Sequence, residues 1–133
     1  LKRLLLTTAI VAALFLTALP FSVAQSPAPK RYVASLTQSG TDDPVATVFV
    51  NDFGGDLTWS RYAGGAYTVN REGAFPAGRL TMKVSKATLA TITSDALMYR
   101  SDDDTITLET QVDEVSSDGV LSATSIEIVV YPN

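Results

Sequence analysis

Carboxylates are the side chains of this sequence whose type and spacing could do chemistry. They cluster at Asp42-Asp43, at Asn51-Asp52 with Asp56, at Asp102-Asp103-Asp104, and at Asp113-Glu114 with Asp118. Calcium takes six to eight oxygen ligands from carboxylates and carbonyls, which loops between strands can supply. Three adjacent carboxylates repel one another unless a cation sits among them, so Asp102, Asp103 and Asp104 form the candidate metal site. None of the clusters has the Asp-x-Asp-x-Asp-Gly spacing of an EF-hand loop. Aspartate is also a common turn residue because it bonds its own backbone, and that reading competes at every cluster.

Catalysis is poorly provided for. The chain has no histidine and no cysteine, so the commonest general base and the thiol nucleophile are both missing. A glycosidase would need two carboxylates across a cleft, whereas these lie in short turn-like contexts. Ser85-Lys86 is the one adjacent Ser-Lys pair, and neighbouring strand residues point to opposite faces. The sequence therefore marks no catalytic residue and no enzyme. No cofactor is expected, calcium being the one alternative.

Aromatic residues offer a binding alternative. Trp59, Tyr62 and Tyr67 lie close together beside Arg61. By strand parity Trp59 and Arg61 share a face and Tyr62 lies opposite. Trp59, Arg61 and Tyr67 could form a platform for stacking a glycan; the competing reading is a core tryptophan under a hairpin.

The elements that must carry these residues are β-strands. Leu80, Met82 and Val84 alternate with polar neighbours, Ile106, Leu108 and Val112 share one parity, and Ile126, Ile128 and Val130 face inward against Glu127, Val129 and Tyr131. That period places one face on a core and the other in water. Residues 32–38 and 46–50 are further strands, the second apolar on both faces and hence expected at a sheet centre. Residues 57–61 and 66–69 read as a hairpin turning through Ala63-Gly64-Gly65. Residues 88–93 and 96–100 are weaker segments, with a turn at Ser94-Asp95. No helical apolar period of 12 or more residues follows residue 31. Eight or nine short strands predict an all-β, antiparallel two-sheet sandwich, with a small closed barrel as the alternative.

Residues 1–24 read as a cleavable signal peptide. Lys2 and Arg3 precede an uncharged run over residues 4–19, Pro20 breaks it, and Ser22-Val23-Ala24 offers small residues for cleavage. The expected location is outside the cytoplasm: periplasm, cell surface or medium. Gln25, Ser26, Pro27, Ala28, Pro29 and Lys30 read as a proline-spaced flexible tether, and residues 31–133 as one domain. The full chain has 10 basic and 14 acidic residues. Losing Lys2 and Arg3 with the signal leaves 8 against 14, a net charge of −6. Such a surface repels phosphate backbones and anionic membranes, which excludes nucleic acid and membrane as expected partners.

The mature chain resembles a group of small uncharacterised bacterial and phage-associated β-rich secreted or structural proteins. The resemblance rests on Thr37-Gln38-Ser39-Gly40 before Pro44-Val45-Ala46-Thr47-Val48, then Asn51 with Gly54-Gly55, Thr58-Trp59-Ser60-Arg61 and Gly73-Ala74-Phe75. It closes on Asp118-Gly119-Val120-Leu121 leading to Ile126-Glu127-Ile128. It implies no activity and favours a structural role.

Together these observations predict an exported, non-enzymatic structural or surface module whose partner is itself or another cell-surface protein. Self-association is expected through the tether or through an edge strand carrying Ile126, Ile128 and Val130. The alternative is a secreted module that binds a glycan or calcium.

Overall fold

A computed structural model describes residues 25–85 and 94–133. The signal segment and the weak segment at residues 88–93 lie outside the described residues. Nine strands and no helix occur among those described. They are β1 (Lys30–Thr37), β2 (Val45–Asn51), β3 (Trp59–Ala63), β4 (Ala66–Asn70), β5 (Leu80–Val84), β6 (Ser94–Arg100), β7 (Thr105–Val112), β8 (Val115–Ser116) and β9 (Thr124–Val130).

The strands form two antiparallel sheets packed face to face, not a closed barrel. One sheet has the order β2-β1-β9-β5, and the other β3-β4-β7-β6 with β8 on the end of β7. Alternation drives the packing. Tyr32, Ala34 and Leu36 of β1 and Ile126, Ile128 and Val130 of β9 are buried from one side. Trp59, Tyr67, Val69, Ile106 and Leu108 are buried from the other, and both sets join one apolar cluster. Phe53, Leu57, Phe75 and Leu121 close the core from loops.

Three sequence expectations change. The strand at 124–130 is central, held between β1 and β5 through Ile128↔Tyr32 and Ile128↔Met82. Its Ile126, Ile128 and Val130 are core residues and present no free edge. The strand at 45–51 is an edge, paired among the described residues with β1 alone. Its doubly apolar pattern reflects exposure of Val45, Val48 and Phe49, not burial on both faces. Ser94 and Asp95 are not a turn but the first residues of β6, opposite Val112 and Gln111.

Turn chemistry follows the sequence closely at Gly64-Gly65. Gly65 has φ +69°, and a Cβ there would lie 2.6 Å from Thr110 O and closer still to Ser117 N. Only glycine lets β3 turn into β4 against that backbone.

Candidate functional site

Two regions gather the polar and aromatic residues singled out by sequence. The first is one end of the sandwich, where Asp118 is the hub. Its Oδ1 accepts from Arg61 Nε (3.0 Å) and Gly65 N (2.9 Å), and its Oδ2 from Arg61 Nη2 (2.8 Å). Such a fork-to-fork pair fixes both side chains. The Tyr67 hydroxyl lies 3.2 Å from both Asp118 Oδ1 and Gln38 Oε1 and donates between them. Gln38 also accepts from Gly119 N (2.5 Å) and donates to Gly40 O and Asp42 O. The Arg61 guanidinium, Gly65 N–H and Tyr67 hydroxyl hold the Asp118 carboxyl down at about 2. Burial pushes the Tyr67 phenol up. Every group here is satisfied by another part of the chain, so this end is a structural lock.

Sequence reasoning grouped Asp118 with Asp113-Glu114 and left Trp59 and Arg61 between an open platform and a core tryptophan under a hairpin. The structure pairs Asp118 with Arg61 instead. The Trp59–Arg61 face is the inner face of the sheet. Trp59 is 1% and Tyr67 0% exposed, so neither offers a ring for stacking a sugar. Gln38 was missed altogether, because nothing local distinguishes a glutamine that bridges loops 81 residues apart.

The acidic triplet has a similar fate. Asp102 Oδ1 accepts from Asp104 N, Asp104 Oδ1 accepts from Gly73 N, and Asp103 pairs with Arg100. The same turn receives Arg71 N and Phe75 N at its carbonyls. The Asp104 carboxylate thus holds the β6–β7 turn against the loop at 71–75, while those of Asp102 and Asp103 brace the turn itself. No group of three or more His, Cys, Asp or Glu among the described residues is arranged to hold a metal ion.

The second region is the margin where β2 and β3 are the outermost strands. A groove of about 500 Å³ separates them, lined by Pro44, Ala46, Val48, Leu57, Thr58 and Trp59. Behind the Trp59 wall, Trp59 Nε1 and the core hydroxyl Tyr32 Oη are buried without a hydrogen-bond partner. They face each other closely enough that the indole opposes the burial-driven rise of the Tyr32 pKa. On β2, Val45 is 69%, Phe49 65% and Val48 47% exposed, Val48 from the groove side opposite Ala34. Phe49 sits at a bulge, where β1 steps from Val33↔Val50 to Ala34↔Val48. The flanking acids do not guard this edge. Asp43 Oδ1 accepts from Arg61 N (2.7 Å) and Asp52 Oδ2 from Arg31 N (3.2 Å), so both turn back onto their own chain. The first of these bonds also caps the edge of β3.

The expected tether is divided. Residues 25–29 are exposed and precede the sheet, while Lys30 opens β1 opposite Val130. Pro27 and Ala28 line a cleft beside the C-terminal residues.

No protein-family model, curated protein or solved structure matches the chain.

Proposed function

We propose that this is an exported structural or surface module that acts through protein contacts, made by adding a strand of a second copy to β2. The observation that carries the reading is an uncharged edge strand with three exposed large apolar side chains. Natural edges are commonly guarded by lysine, proline or an inward charge. Residues 45–51 contain none of these, and the bulge at Phe49 is the one guard this strand carries. An antiparallel self-pair centred on Val48 sets Val45 against Asn51 and Thr47 against Phe49, so no charges of like sign face each other. The edge is therefore complementary to itself, whereas the rest of an acidic surface repels a second copy. The satisfied end around Asp118 and the occupied aspartates of the β6–β7 turn support a contact role over an active site.

Sedimentation equilibrium on residues 25–133, at concentrations from about 10 μM to about 2 mM, tests this. Association that rises with concentration, and is abolished by Phe49→Lys and by Val45→Lys, is the expected result. Both positions are exposed, so a lysine there leaves the fold intact. A monomer at every concentration, or association that ignores both lysines, would overturn the reading.

A further inference from the structure

We propose that the cleft between the N-terminal lead and the C-terminal residues is a binding site for a short uronic acid oligosaccharide. The cleft measures about 530 Å³ and is lined by Lys30, Arg71 and Arg79 with Tyr131 and Pro132. That volume lies within the roughly 300–1,000 Å³ typical of small-ligand sites.

Sheet register creates the cluster. Lys30 and Leu80 both pair with Val130, from opposite sides, so Lys30 and Arg79 arrive at the same end of the sheet. Tyr131 N donates to Arg79 O (2.8 Å), and both residues line the cleft. Arg71 reaches the cleft from the β4–β5 loop, whose backbone the acidic turn holds through Arg71 N and Asp104 O (2.7 Å). Its guanidinium packs over Gly55, where a Cβ would lie 2.7 Å from Nη1.

Three cations therefore converge in a chain of net charge −4. Among the described residues none of the three has an ion-pair partner, whereas Arg31, Arg61, Lys83 and Arg100 all do. Arg71 and Arg79 are half-buried with no protein acceptor on their guanidinium groups, which still reach water and can exchange it for a ligand's acceptors. A carboxylate supplies the missing acceptors in the fork geometry guanidinium prefers.

The occupant's body follows from the other walls. Tyr131 is 47% exposed and flanked by Pro132, giving an apolar ring face suited to the C–H face of a pyranose. Glu72 also lines the cleft and can accept from sugar hydroxyls. That carboxylate and the acidic surface reject dense polyanions, which favours a ligand with widely spaced charges. The site uses no residue of β2 and stands apart from the association proposed above.

Calorimetric titration of residues 25–133 with a uronic acid trisaccharide, its carboxyl-reduced neutral counterpart and inorganic phosphate tests the assignment. Saturable uronate binding is expected, at least about tenfold weaker for the neutral sugar, and weakened again between about 20 and 200 mM salt. Arg71→Gln and Arg79→Gln should each weaken it about tenfold with the melting temperature unchanged, and Lys30→Gln, at an exposed position, provides the same test without burial. No uronate binding, equal binding of the neutral sugar, phosphate binding as tight as uronate, or indifference to all three substitutions would each overturn the proposal.

Discussion

Replacing Asp118 by asparagine removes one charge from the most densely bonded side chain in the molecule while keeping its shape. The magnitude follows from the carboxyl's own acidity. An ordinary aspartate near 3.8 is held here at about 2, a difference equivalent to about 2.4 kcal/mol. The Asp118 side chain remains 20% exposed, and screening by solvent brings the expected loss to between about 1 and 2 kcal/mol. The amide oxygen in Asp118→Asn would still accept from Gly65 N and the Tyr67 hydroxyl, so the deficit isolates the charge facing Arg61. For a domain of about 100 residues, a drop of about 5–10 °C in melting temperature corresponds to this loss. The pH dependence is the sharper test. The folded carboxyl is more acidic than the unfolded one, so its stabilisation is complete above 3.8 and is lost as pH falls through about 2. Urea unfolding of both proteins across pH 7 to 2 should therefore show a gap at neutral pH that closes in acid. A gap that persists undiminished at pH 2, or a neutral-pH gap under about 0.5 kcal/mol, would refute the lock.

Four further substitutions, at three positions, probe the frame. Gly65→Ala should cost at least about 3 kcal/mol, because the added carbon meets Thr110 O and Ser117 N as well as an unfavourable φ. Gly73→Ala, at φ +60° in open space, should cost only about 1 kcal/mol, and equal costs in urea melts would remove the close approach as the cause. Trp59→Phe should cost under about 1.5 kcal/mol, since it deletes an indole N–H that is buried without a partner. Trp59→Ala should cost about 3–5 kcal/mol through the cavity it leaves; a phenylalanine as costly as alanine would mean the N–H is bonded after all.

Strand faces were legible in the sequence, and strand neighbours were not. The alternation of Ile126, Ile128 and Val130 identified an inward face correctly, because a period of two is a local property of the extended chain. Whether a second strand lies on each side of it depends on partners from 80 to 84 and from 30 to 36. No local pattern encodes those, and lateness in the chain misplaced this strand at an edge. The opposite error at Val45, Val48 and Phe49 has a related cause. Apolar residues on both faces fit a central strand and an uncovered edge equally well. At the hairpin the core reading of Trp59 holds and the platform reading does not. Parity put Trp59 and Arg61 on one face correctly, yet parity cannot say that the second sheet covers that face. Asp118 was visible as a turn residue, but its partner Arg61 lies 57 positions away. The cationic cleft was invisible because its three charges belong to three separate segments joined only by sheet register.

The size of the β2 edge also sets how it can work. Fully burying a valine or phenylalanine side chain stabilises by about 1.5–3 kcal/mol. Scaling by the exposure of Val45, Val48 and Phe49 gives about 4 kcal/mol for each copy, or about 8 for a symmetric pair. Association itself costs at least about 4 kcal/mol, and four or so new ladder hydrogen bonds return about 1 kcal/mol each. The balance corresponds to a dissociation constant between micromolar and millimolar. The bulge at Phe49 interrupts the self-paired ladder where Thr47 meets Phe49, which keeps the contact from growing tighter. A contact that weak is reversible between free chains and becomes effective when many copies are held close together, where the second and later contacts form at high local concentration. A tight soluble dimer is thus the wrong expectation for β2, and repeated, crowded display on a surface is the arrangement its energetics fit.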